Sequence, residues 1–218
     1  MPGHGWALAS LLQRRQAQGM PPRFVFLLLL AATACRSASD TRSAERARWT
    51  YTPDLPVSRA PFEAVHANYK ERLEQPYAFV ELRGSYVETG RALPALHDRI
   101  RAAGLEPSGP PFGLYFDDPG RVPVAELRSR ACIPLTGVPD AGAAVQFDIL
   151  PRAHVVYAVV AGPYPEAPRA YPGLYRYMTS MGWVEAGPIR EIYLVPPTAV
   201  ESFDALLCEI QIPAAPRP

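Results

Sequence analysis

Shifted by 78 residues, the chain lies on itself without a gap over most of its second half. Gly84 falls on Gly162 and Tyr86 on Tyr164. Glu88, Arg91, Ala92, Pro94 and Leu96 fall on Glu166, Arg169, Ala170, Pro172 and Leu174. Gly104, Gly109, Pro110 and Tyr115 fall on Gly182, Gly187, Pro188 and Tyr193. Ile133-Pro134 meets Ile212-Pro213 after a one-residue insertion. Such a period marks a duplicated unit. A duplicated unit rules out any fold that cannot hold two copies of one motif. Each copy reads as β-α-β-β. Residues 77–83 and 154–161 are apolar strand patterns ending at Gly84 and Gly162. Leu93, Leu96 and Ile100 then recur at helical spacing, as do Tyr171, Leu174 and Met178. Gly104 and Gly182 are positioned as C-terminal caps. Pro94 and Pro172 belong in a first helical turn, because a proline deep in a helix costs ~3 kcal/mol. Strands are expected over 113–116 and 190–195, and over 126–133 and 205–212. Residues 62–73 suggest an extra edge strand before the first copy.

The composition supports a packed core and excludes some partners. Hydrophobic residues make up 48% of the chain, enough to bury a core. Net charge is +1, which leaves no electrostatic case for nucleic acid. The four histidines are scattered, with no metal-ligand spacing. No Gly-rich phosphate loop and no Gly-x-Ser-x-Gly elbow occur, so no cofactor is expected.

The N-terminus reads as a targeting segment. Residues 24–32 are continuously apolar, follow Arg23, and are too short for a bilayer of ~30 Å. They have the length of a signal-peptide apolar region. Ala32-Thr33-Ala34-Cys35 resembles the lipobox of bacterial lipoproteins, with Ala32 where a Leu is usual. That resemblance implies cleavage before Cys35, lipidation at Cys35 and anchoring in a membrane. Arg36 and Ser37 follow, resembling the outer-membrane-sorted class, with the domain facing the periplasm. Residues 1–34 are therefore expected to be the signal peptide. Residues 35–60, rich in Arg, Ser, Ala and Thr, are expected to be a flexible tether, and residues 61–218 the folded domain.

Residues 104–119, with Glu126-Leu127-Arg128 and Ile133-Pro134 after them, resemble the GyrI-like small-molecule-binding domain. The same module is the effector-binding domain of AraC- and MerR-type multidrug regulators. The resemblance implies an α+β fold of two pseudo-symmetric β-α-β-β modules, about 77–135 and 154–213. They would share an antiparallel sheet with helices on one side and a central cleft. The DNA-binding helix-turn-helix of the regulators has no counterpart here.

The last strand alternates. Leu206, Cys208, Ile210 and Ile212 share one face, and Leu207, Glu209 and Gln211 the other. The apolar face should meet the helices, leaving Glu209 to the cleft. The resemblance implies a role for Glu209, binding a cationic aromatic ligand or acting as acid/base in a hydrolytic reaction. Its counterpart in the first copy is Arg130. Tyr193, Tyr115, Trp183, Tyr157 and Phe112 are the aromatic candidates for stacking a flat or cationic molecule. Cys132 should share the face of Gln211, and Cys208 should point the other way, which disfavours a bridge between them. A monomeric, lipid-anchored binder of a small, mostly apolar molecule leads. A hydrolase using Glu209 and a protein–protein adaptor are the alternatives.

Overall fold

The computed structural model describes residues 51–140 and 142–218; Cys35, the signal segment and most of the tether lie outside them. The elements run β1 (Ser58–Arg59), β2 (Ala67–Arg72), β3 (Gln75–Arg83), α1 (Val87–Ala102), β4 (Phe112–Tyr115), β5 (Arg128–Pro134) and β6 (Gln146–Leu150). There follow β7 (Ala153–Ala161), α2 (Tyr171–Ser180), β8 (Trp183–Glu185), β9 (Ile189–Tyr193) and β10 (Leu207–Pro216). All ten strands join one mixed α+β sheet in the order β1-β7-β10-β9-β4-β5-β3-β6, with β2 also on β7 and β8 on β10. Among the described residues, no helix is long and apolar enough to cross a membrane.

The duplication appears in the registers. β3-α1-β4-β5 and β7-α2-β9-β10 are equivalent, and they meet where β4 pairs with β9. Gly113 faces Glu191 there, its own counterpart 78 residues on, while Phe112 faces Ile192 and Leu114 faces Arg190. The pseudo-two-fold axis therefore passes between Gly113 and Glu191. Buried Leu96 and Ile100 of α1 pack on Ala78 and Ile133, and buried Leu174 and Met178 of α2 pack with Val156, Ala158 and Ile210. The helical spacing read from the sequence is the spacing of the buried face. Both helices stop before a glycine at positive φ, Gly104 at 68° and Gly182 at 71°, where an L side chain would be strained.

One expectation is corrected. Pro94 does not sit in a first turn but is the eighth residue of α1. Its counterpart Pro172 is in the first turn of α2, after a 3-10 helix over Tyr164–Ala170. Pro165 and Pro168 remove N–H donors from that stretch, which shortens the second helix. The first copy has only Pro94 there, and the residue four before it is Gly90, where the backbone yields most easily.

The segment before the first copy forms an edge strand, as expected, and the half that it edges is the second. β2 pairs with β7 of the second half, and β6 pairs with β3 of the first. Asn68 faces Tyr157, and the shifted pair, Gln146 and Phe79, face each other likewise. The repeated unit is thus β-β-α-β-β, and the two halves exchange their first strands.

Candidate functional site

The two faces of the sheet carry different chemistry near the axis. On the helix face, Tyr115 and Tyr193 bring their hydroxyls to 2.5 Å of each other across the axis. Tyr86 lies 4.7 Å from the Tyr115 ring, and Tyr164 the same distance from Tyr193. The Tyr86 hydroxyl donates to the Asp117 carbonyl and accepts from the Asp117 N–H. Tyr164 does the same with Val195, its equivalent. These bonds fix a row of four aromatic rings symmetric about the axis.

Glu191 breaks the symmetry. It is 3% exposed and stands between Ile210 on one neighbouring strand and Gly113 on the other. Tyr171 donates to its Oε1 at 2.7 Å. Among the described residues no ion pair involves it. Burial pushes its carboxyl up to about 7, against a smaller downward pull from the hydroxyls of Tyr171 and Tyr115. A buried acid normally takes a basic partner or gives up its charge. Glu191 has aromatic hydroxyls and no cation. Gly113 makes room for this: a Cβ there would stand 2.7 Å from the Tyr115 hydroxyl, so only glycine lets that ring fold back to the axis.

The opposite face holds Glu209, on β10 beside Ile192 and Val159. Its apolar-face neighbours Cys208, Ile210 and Ile212 do pack on the helix side. Glu209 already has a cation. Lys70 Nζ lies 2.7 Å from Oε1, Gln211 donates to the same oxygen, and Tyr51 donates to Oε2 at 3.0 Å. Lys70 also sits 3.9 Å above the Tyr157 ring. The equivalent place in the first half holds the same arrangement with the charges exchanged. Arg130, the counterpart of Glu209, binds Asp148, the counterpart of Lys70, at 2.9 Å and stands 4.0 Å above Phe79. Arg130 takes Glu81 as a second partner. Tyr51 and Val57 pack over this face with Phe112, Leu114 and Ile192.

The seven residues picked from the sequence therefore divide. Glu209, Arg130, Tyr157 and Phe112 share the face opposite the helices. Tyr115 and Tyr193 lie on the helix side, where their carboxylate neighbour is Glu191. Trp183, on β8, packs edge-on to Tyr69 at 5.3 Å and belongs to the core under α2. Cys132 and Cys208 are buried, free and on opposite faces. Glu191 is the residue that sequence reasoning missed. Its signal was present: Ile189, Glu191 and Tyr193 alternate onto the face that the helices cover, so a carboxylate stands in an apolar row.

Residues 68–215 match the family description of the GyrI-like small-molecule-binding domain. The chain belongs to the GyrI-like family. No curated protein matches the sequence. Among solved structures, the GyrI-like domain is similar to the EcmrR C-terminal domain, with 19% identity and a TM-score of 0.63, covering 70% of this chain and 99% of that one. The EcmrR–DNA complex aligns at 17% identity and 0.63, covering 88% of this chain and 68% of that one. A conserved protein from Listeria innocua aligns at 13% identity and 0.56, covering 68% and 92%. At these identities the likeness is one of fold. The two-module architecture inferred from the repeat is the architecture of the GyrI-like domain.

Proposed function

We propose that this protein is a lipid-anchored envelope protein whose GyrI-like domain binds a lipophilic cation, with Glu191 as the counter-charge. The observation that carries the reading is a buried carboxylate with no cation, ringed by Tyr115, Tyr171 and Tyr193. A flat aromatic cation would supply the missing charge and stack on the tyrosines, contacts together worth on the order of 1–3 kcal/mol. Glu209 supports the role less well, since Lys70 already neutralises it. For the same reason it is poorly placed as the acid/base of a hydrolase.

The test is calorimetric titration with the 10-methylacridinium cation and with neutral acridine at pH 8. Glu191→Gln keeps the shape and removes the charge. It should weaken the cation at least tenfold, about 1.4 kcal/mol, and move acridine by less than twofold. Equal cation affinities in the two proteins would sink the assignment. The anchor has a separate test. The Cys35→Ala chain should move from the membrane fraction to the soluble fraction of cells, and retention of the uncleaved chain in the membrane would replace lipidation with a signal anchor.

A further inference from the structure

Among the described residues, three buried side-chain atoms have no hydrogen-bond partner in the protein: Arg72 Nε, Arg190 Nε and Gln211 Oε1. All three belong to the face opposite the helices. Gln211 and Arg190 are direct cross-strand partners. Arg72 lies close enough that, after desolvation, its charge is the largest influence on the Arg190 guanidinium, which is pushed down to about 10. Arg190 is 7% exposed and Arg72 8%. Neither forms an ion pair with any described carboxylate. Arg72 donates one bond, to the Pro151 carbonyl, and Arg190 stands 3.9 Å above the Phe112 ring. Burial and the charge of Arg72 outweigh the smaller upward pulls of Cys132 and Glu209 on Arg190, and two buried guanidiniums that share no ion pair are costly.

The fold does not require them. The duplication supplies the control: the positions equivalent to Arg72, Arg190 and Gln211 in the other half are Leu150, Phe112 and Cys132. All three are buried and apolar, and they pack together. One half therefore fills these positions with hydrocarbon and sulfur. The other fills them with two cations and an amide, and leaves one polar atom of each unpaired.

We propose that Arg72, Arg190 and Gln211 form a second ligand site, on the sheet face opposite Glu191, that takes a small organic anion. The unpaired atoms define its chemistry. Two N–H donors call for an oxyanion, and the Gln211 carbonyl calls for a hydroxyl or N–H beside it. The Gln211 amide is oriented by its bond to Glu209, so Oε1 is the end left over. Phe112 and Tyr77, buried with their rings 5.5 Å apart and Phe112 under Arg190, make the surroundings apolar. The ligand class is a carboxylate with an adjacent hydroxyl or amide and an apolar body.

The experiment titrates the full chain with 3-phenyllactate and with its neutral amide, 3-phenyllactamide. The wild type should bind the carboxylate at least tenfold more tightly than the amide, a comparison that needs no variant. Arg190→Met and Arg72→Met, which give these positions the apolar character of their twins, should each cost the carboxylate at least tenfold in affinity without lowering the thermal midpoint. Glu191→Gln should leave phenyllactate unchanged, so failure here is distinct from failure of the cation site. No heat with phenyllactate at millimolar concentration, equal affinity for acid and amide, or full affinity in both arginine variants would each overturn the proposal.

Discussion

Lys70→Met is expected to destabilise the domain by about 3 kcal/mol, the low end of what breaking a buried ion pair costs. The loss comes from the partner left behind. Glu209 is 4% exposed, and without Lys70 its carboxylate keeps only the donors Gln211 and Tyr51. Lys70 itself is one-third exposed, which places the cost at the low end. The duplication indicates the rescue. Lys70→Asp with Glu209→Arg copies the Asp148–Arg130 pair of the other half, and the double variant should recover most of the loss. Urea unfolding of the wild type, the single variant and the double variant measures both effects. A single variant within 0.5 kcal/mol of wild type, on the order of a neutral surface change, would mean that the pair is solvated and energetically idle.

Glu191 should make the domain more stable in mild acid than at alkaline pH. Its carboxyl titrates near 7 in the fold and at the ordinary value of 4.5 when the chain unfolds. Between those values the folded state binds the extra proton, so this group's contribution falls as pH rises through the window and levels off above 7. A displacement of that size corresponds to on the order of 3 kcal/mol. Glu191→Gln, uncharged at every pH, should therefore be more stable than wild type at pH 8 by an amount of that order and nearly equal to it at pH 4. Denaturant titrations across that range check the result. Parallel pH profiles for the two proteins would show that the carboxylate is ionised without penalty. The same ionisation should strengthen binding of a cation as pH rises through 7.

Much of the architecture was legible because repetition and alternation are backbone periodicities. The face to which Cys208, Ile210 and Ile212 turn followed from alternation alone, and so did the separation of Cys132 from Cys208. The partner of β2 was not legible. Ala67–Arg72 and Gln146–Leu150 share no identical residue in equivalent positions, and pairing across the halves leaves no local trace. The site was half legible for a related reason. Alternation put Glu209 on the face away from the helices, but it said nothing of Lys70, which is brought there by the exchanged strand. Glu191 escapes notice when an apolar row is judged by its average character and not by its one exception.

The reciprocal exchange of β2 and β6 bears on how such a chain arose. A single half cannot pair its own first strand in this way, because that strand lies on the other half's sheet. Two separate half-length chains would close by the same handclasp, as a two-fold dimer of identical subunits. In such a dimer every residue has an identical twin across the axis, and the residue on the axis faces its own, so an acid on one side means an acid on both. Joining the copies in one chain released the constraint. Glu191 now faces a glycine, Arg190 stands where its twin is Phe112, and one ion pair runs with its polarity reversed. The difference in chemistry between the two halves is open to a fused chain and closed to a dimer of identical subunits.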